Sequence, residues 1–287
     1  MRDQHATRRP AVPLWRSTRT YVGAFIVLVW GLGPFYWMLV TALRDENYTF
    51  DSTPWPTHVT LANFRAAFDT SRGNNFGRAV LNSVVIGAST TVIALILGMM
   101  AAYALARISF RGKTLVSGLI LSASMFPVVV LATPLFQLFT NIGWYGHYQA
   151  MIIPNISFVL PLTVYILSSF FTELPWELEE SARIDGAGRF QAFRLIMLPL
   201  AAPAVFTTAI LAFIAAVNEY LLASLLSVDR TAPVTVAIAH FNGKDPNVAP
   251  YTAIMAGGVI VSVPLVIMVL LFQRRIISGL TAGGVKS

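Results

Sequence analysis

The 287-residue sequence contains no cysteine. A disulfide framework, a Cys-ligated zinc and a thiol nucleophile are therefore all excluded. Histidine is scarce as well. His5, His58, His147 and His240 form no H-E-x-x-H or other close ligand pair, so no metal centre is expected. All four fall outside the long apolar runs with no convergent nucleophile signal, so no Ser/His/Asp triad is expected. Charge is thin: 11% of residues are Asp, Glu, Lys or Arg, against about 25% in soluble domains. The phosphate-cradling pattern Gly-x-x-x-x-Gly-Lys-Ser/Thr is absent, so no nucleotide is held here by that loop.

What the chain has instead is apolar length. Hydrophobic residues make up 56% and mean hydropathy is +0.67. A helix crossing a bilayer needs about 20 apolar residues, and six runs of that size can be read. They cover about 21–43, 81–106, 114–140, 149–171, 201–227 and 252–273. The runs are continuous rather than short and alternating, which excludes a β-barrel. The fold class expected is all-α, a polytopic membrane protein of six transmembrane helices. Its parts would be an N-terminal tail 1–20, a first span 21–43, an external loop 44–80 with a short interfacial helix near Thr60, a five-span core 81–273, and a tail 274–287.

Local features refine this. The first run is too long for a signal-peptide core and is read as an anchor, with Gly31, Gly33 and Pro34 allowing a bend. Gly98, Ala102 and Ala106 recur every four residues, a small-residue stripe for close helix packing. Pro127, Pro134, Pro154 and Pro161 suggest bent, path-lining helices.

The net charge of +7 reads through topology rather than nucleic acid. With the N-terminus inside, the inner segments 1–20, 107–113, 172–200 and 274–287 hold 14 of the 20 Lys and Arg residues. The positive-inside rule favours that orientation and places both termini in the cytoplasm.

One inner segment departs from the apolar pattern. In 172–200, Pro175 suits a first helical position, and Glu177, Glu179 and Glu180 suit the positive end of a helix. Gly186 suits the residue just past a helix end. A second short helix is expected over about 189–197, stopping at Pro199. Leu178, Ala182 and Ile184 can share one face, with the carboxylates on another. Such a loop presents a surface to another protein, or caps the bundle.

The exact residues narrow the choice. Glu180-Ser181-Ala182, Gly186 six after the glutamate, Ile196 ten after the glycine, then Leu198-Pro199, resemble the E-A-A…G…I-x-L-P loop of permease subunits of ABC importers. Ser181 stands where that pattern has alanine. Leu81-Asn82-Ser83 looks like the start of the transport core in carbohydrate-type permeases. Val217-Asn218-Glu219-Tyr220 resembles that family's W-N-E-aromatic stretch, with valine for tryptophan. Pro233-Val234-Thr235-Val236 and Phe241 fit its outer loop. The tail from Gln273-Arg274-Arg275 to Lys286 is similar to the second permease subunit of maltose importers. The resemblance runs from about residue 20 to the end.

It implies a type I importer permease core in a bacterial cytoplasmic membrane, translocating a sugar, with trehalose or maltose as the disaccharides that fit best. The partners implied are a second homologous permease, two ATPase subunits and an extracytoplasmic solute-binding protein, all around the lipid bilayer and without nucleic acid. ATP and Mg would belong to the ATPase subunits, and this chain would carry no cofactor and no catalytic residue. Glu180, Ser181, Ala182, Asp185, Gly186, Ile196, Leu198 and Pro199 would form the coupling loop. Asn155, Asn218 and Glu219 are candidates for the substrate path. Glu219 is the one acidic residue placed within a span, and intramembrane carboxylates are functional candidates. It therefore supports a rival, a proton-coupled secondary transporter. An ABC permease for a non-sugar solute such as a glycerophosphodiester is the other alternative, and an intramembrane enzyme finds no convergent polar cluster.

Overall fold

A computed structural model describes residues 14–73, 75–242 and 249–282. The N-terminal tail as far as residue 13 and the end of the C-terminal tail, 283–287, lie outside those residues.

The described residues are helical, with a single isolated bridge between Arg44 and Val59 and no strand among them. Backbone donors and acceptors can be satisfied in lipid only within helices or closed barrels, so an apolar chain of this length folds as helices. They are α1 Leu14–Ala42, α2 Ala62–Ala67, α3 Phe76–Arg107, α4 Lys113–Ser124, α5 Val128–Asn141, α6 Tyr148–Glu173, α7 Trp176–Ile184, α8 Arg189–Ala192, α9 Leu198–Val217, α10 Leu221–Leu226, α11 Val234–Ala239 and α12 Tyr251–Ala282. Five stretches are long and apolar enough to cross a membrane: Thr20–Ala42, Phe76–Arg107, Tyr148–Glu173, Arg189–Val217 and Tyr251–Gln273.

The remaining expected span, 114–140, is not one rod. It is the pair α4 and α5, bent by 85° between Ser124 and Val128. Pro127 causes the break. It sits at φ −71°, ψ 121° before α5, has no N–H to continue α4, and disfavours helical backbone at Phe126. Pro134, Pro154 and Pro161, by contrast, lie within α5 and α6. Nor does α1 break at Gly31, Gly33 or Pro34; its helix runs through all three.

Two other boundaries move. The second span starts at Phe76 rather than 81, because Phe76 and Ala79 are buried against Phe241 and Ala253 and extend the packed length. The fifth ends at Val217 rather than 227, with α10 a separate turn after Asn218, Glu219 and Tyr220.

Packing centres on α3, α6 and α9. Gly98 and Ala102 on α3 are buried, and a Cβ on Gly98 would come within 2.5 Å of Thr163 Cγ2 on α6. Ala102 lies in a cluster with Leu167, Phe171, Met197, Ala201 and Ala204, and Ala106 packs at its edge. The small-residue stripe thus brings α3 against α6 near its middle and against both α6 and α9 near its end. Buried threonines serve the same apolar interior by bonding their own helix. Thr163 donates to Val159 O at 3.0 Å and Thr208 to Ala204 O at 2.8 Å, so these two buried hydroxyls are satisfied. By contrast, α1 leaves a broad apolar surface uncovered, with Tyr21, Phe25 and Trp30 exposed.

Candidate functional site

Three regions carry the sequence-flagged residues: the α7 end of the bundle, a cavity between α6 and α9, and the opposite end around α10.

At the first, α7 begins one residue later than expected. Pro175 precedes the helix at φ −57°, ψ 131° rather than occupying its first turn. Glu177 and Glu179 lie in that turn and Arg183 in the last, the arrangement a helix dipole favours. Gly186 has φ +89°. Its N–H donates to Arg183 O at 3.1 Å and the Ala187 N–H to Ala182 O at 2.9 Å, a Schellman ending that requires a left-handed residue at this position.

The expected faces of α7 are corrected. Ala182 is buried, but Leu178 is exposed and Ile184 is 81% exposed. The carboxylate that turns inward is Glu179, at 3% exposure. Residues three apart share a helical face, so Glu179 and Ala182 form the buried face toward α3 and the adjoining helices, with Trp176 at its exposed edge. Glu180, Ser181, Asp185 and Gly186 are all on the open side. Glu179 Oε1 accepts a hydrogen bond from the Tyr103 hydroxyl at 2.6 Å, and its Oε2 lies 3.9 Å from Arg107 Nε. The Arg107 guanidinium also donates through Nη2 to Leu174 O at 2.8 Å and sits 5.4 Å above the Trp176 ring. Tyr103, Arg107 and Trp176 were not singled out from sequence. The signal was the i, i+3 spacing of Trp176, Glu179 and Ala182.

The second helix of the loop does not stop at Pro199. From Arg189 the chain stays helical to Val217 through a π-helical turn, Phe193–Met197. Leu198 N–H bonds Phe193 O across that turn. A proline ring clashes with the carbonyl one turn back, and a widened turn just before Pro199 relieves that clash without ending the helix. Ile196 and Leu198 are half-buried there and Pro199 is exposed. The loop is therefore continuous with α9.

The second region is a cavity of about 220 Å³ lined by Val128, Phe158, Thr208 and, together, Asn155, Asn218 and Glu219. The three residues read from sequence as path candidates do converge. Asn155 is 4% exposed on α6, and Asn218 and Glu219 stand at the end of α9.

Glu219 is not within a helical span. Its Oε1 accepts from Leu222 N at 2.8 Å and its Oε2 from Ala223 N at 2.9 Å. The carboxylate thereby caps the start of α10, whose first N–H groups have no intrahelical acceptor. Its backbone carbonyl also accepts from Thr235 Oγ1 at 3.1 Å.

Beyond α10 lies the third region. Asn82, 2% exposed, donates through Nδ2 to Ala232 O at 2.9 Å and Arg230 O at 3.2 Å, and accepts from the Tyr148 hydroxyl at 2.7 Å. Ser83 Oγ accepts from Val234 N at 2.8 Å. The Leu81-Asn82-Ser83 motif thus holds the chain entering α11. An open cavity of about 650 Å³ adjoins it, with Asn75, Ser224, Ser227, Asp229, His240 and Phe241 in its wall. Among the described residues no group of three or more His, Asp or Glu side chains stands together as an ion site.

Residues 94–281 match the family described as the binding-protein-dependent transport system inner membrane component. The chain belongs to this family. Among relatives of this permease, the trehalose transport system permease protein SugB of Mycobacterium tuberculosis is 44% identical over 272 residues, covering 94% of this chain and 98% of that protein. The trehalose/maltose transport system permease protein MalG of Thermococcus litoralis is 41% identical over 268 residues, covering 92% and 95%. A chain of a crystal structure of a bacterial ABC transporter importing the acidic polysaccharide alginate has the same fold, with TM-score 0.75 at 20% identity, covering 93% of this chain and 99% of that one.

The permease is a transport component and not an enzyme, and it is a multi-pass protein of the cytoplasmic membrane. The rival reading of a stand-alone proton-coupled transporter is set aside by the family, and the cap geometry gives Glu219 a structural task in its place.

Proposed function

We propose that this permease forms one half of the membrane path of an ATP-driven importer for an α-linked disaccharide, with trehalose or maltose as substrate. The observation that carries the proposal is the pairing of one helix, α7, bound to the bundle by one face and open on the other, with a cavity reached from α6 and α9. The open face, with Glu180, Ser181, Asp185 and Gly186, is the surface that meets a separate ATPase subunit. The continuous helix from Arg189 carries its movement into α9 and so to the cavity wall.

The chemistry of the path fits a sugar. Hydroxyls need amides, carboxylates and hydroxyl partners, and sugar C–H faces need an apolar plane. Asn155, Asn218 and Phe158 offer these beside one cavity. The names of the two relatives above support the disaccharide. A second homologous permease completes the path, and the uncovered apolar surface of α1 leaves room for lipid or that subunit. Two ATPase subunits supply ATP hydrolysis with Mg, and a solute-binding protein delivers the sugar at the α10 end. The excess of Lys and Arg in 1–20, 107–113, 172–200 and 274–287 supports a cytoplasmic α7 end and cytoplasmic termini. Energetically, ATP can bias access only if α7 makes different contacts in the inward- and outward-open states.

The test is replacement of Gly186 by valine. At φ +89° a β-branched residue is strained, and the Schellman ending that shapes the open face is lost. Sugar-stimulated ATP hydrolysis should fall while membrane insertion is unchanged. Normal stimulated hydrolysis in that variant would overturn the assignment of α7.

A further inference from the structure

The polar contacts between α7 and α3 are few and buried. Tyr103 and Arg107 stand one helical turn apart at the end of α3, and both point at Glu179. Tyr103 holds one carboxylate oxygen at 2.6 Å. The other oxygen and Arg107 Nε face each other at 3.9 Å, and both atoms are buried without a hydrogen-bond partner. The side chains of the pair are 6% and 4% exposed. A buried donor and a buried acceptor left open toward each other are costly. The cost falls if they move together by about 1 Å, to ordinary hydrogen-bond distance.

The same two α3 residues reach both halves of the loop. Arg107 takes Leu174 O and covers Trp176 on the α7 side. The Tyr103 ring meets Phe193 edge-on at 4.9 Å, in the π-helical turn before α9. A shift of α7 is thus felt through Glu179 by Tyr103, and through Tyr103 by the start of α9.

We propose that Tyr103, Arg107 and Glu179 are positioning residues that transmit movement of α7 to α3 and α9. The half-made Arg107–Glu179 contact closes in one access state and opens in the other. Glu179 does not meet the ATPase subunit; it acts from beneath the docking face. The inference rests on the reading that α7 docks that subunit, and the experiment separates the two.

The test uses the whole importer, with the second permease, ATPase subunits and binding protein, reconstituted in liposomes and supplied with trehalose and maltose in turn. Sugar imported per ATP hydrolysed is measured for Y103F, E179Q and R107K, and binding of the ATPase subunits is quantified for each. Y103F removes one hydroxyl and keeps the ring on Phe193, so it is the variant least able to disturb folding. The expected result is retained ATPase binding and continued ATP hydrolysis, with about a fivefold or greater fall in sugar per ATP, the range of an allosteric coupling term. The Y103F/E179A double variant should be no worse than E179A alone, because loss of the carboxylate already removes the link to Tyr103. An unchanged ratio in assembled variants would overturn the proposal. So would transport and hydrolysis falling together in proportion to assembled complex, which marks a structural role only. The control I184D alters the open face. If it leaves ATPase binding and the ratio intact, the docking reading itself fails. If it sheds the ATPase while E179Q changes neither binding nor ratio, only the positioning role fails.

Discussion

Replacing Gly98 with alanine probes a close approach of α3 and α6. The added Cβ would stand 2.5 Å from Thr163 Cγ2 and 3.3 Å from Thr163 Cβ, where ordinary contact begins near 3.4 Å. The helices must part by close to 1 Å, or Thr163 must leave its rotamer and its 3.0 Å bond to Val159 O. Overpacking of this kind costs about 1–3 kcal/mol. Alanine is the better helix former by about 1 kcal/mol, so the net loss expected is about 0–2 kcal/mol. The informative variant is T163S, which removes the clashing methyl and keeps the hydroxyl. Alone it should cost about 0.5–1.5 kcal/mol, the price of one buried methyl. Combined with G98A it should restore the melting temperature of the detergent-solubilised protein above that of G98A. Strictly additive losses, or a G98A variant more stable than the parent, would refute the claim that α3 and α6 touch here.

The other predictions concern the opposite end of the bundle. N82A removes three hydrogen bonds, each worth about 0.5–1.5 kcal/mol net, and should raise the rate of proteolytic cleavage near 228–234 in intact vesicles. E219A should cost about 0.5–2 kcal/mol as a lost cap, while sugar uptake by the parent should survive a protonophore when ATP is supplied. Between α1 and α2, Asp51 accepts from Thr57 Oγ1 at 2.7 Å and also from Thr53. These bonds, and then Arg44 nearby, hold its carboxyl below the ordinary 3.8. The lowered value means that the folded loop gains stability above that ordinary value and loses it as pH falls through the lower one. Protection of the Thr53 amide, relative to intrinsic exchange at each pH, should fall across that acid range, and D51N should abolish the dependence.

Much of this fold is legible in the sequence, because apolar length is dictated by the solvent. The limits of the fourth run are met within two residues by α6, whose helix continues through Pro154 and Pro161. The third run is met by the bent pair α4 and α5; Pro127 signals the bend, while hydropathy averages over it and cannot report an angle of 85°. The fifth fails because Asn218, Glu219 and Tyr220 are too few to lower the average, yet one carboxylate can start a new helix. At the α7 end, Gly186 was readable from conformational preference alone. Glu179 was not, since three neighbouring glutamates look alike until Tyr103, 76 residues earlier, selects one. Pro199 misled for a related reason: local rules end a helix there, whereas burial of Met197 and Ala201 in one cluster keeps it going.

The central claim is that this permease moves sugar only when a separate ATPase acts on α7. The most direct measurement is purification of the tagged chain in mild detergent with its natural partners present, followed by reconstitution and uptake of trehalose and maltose with and without ATP. The account predicts recovery of ATPase subunits and a second permease, with uptake that needs ATP and a binding protein. Recovery of the chain alone, with uptake that follows a proton gradient and ignores ATP, would contradict it.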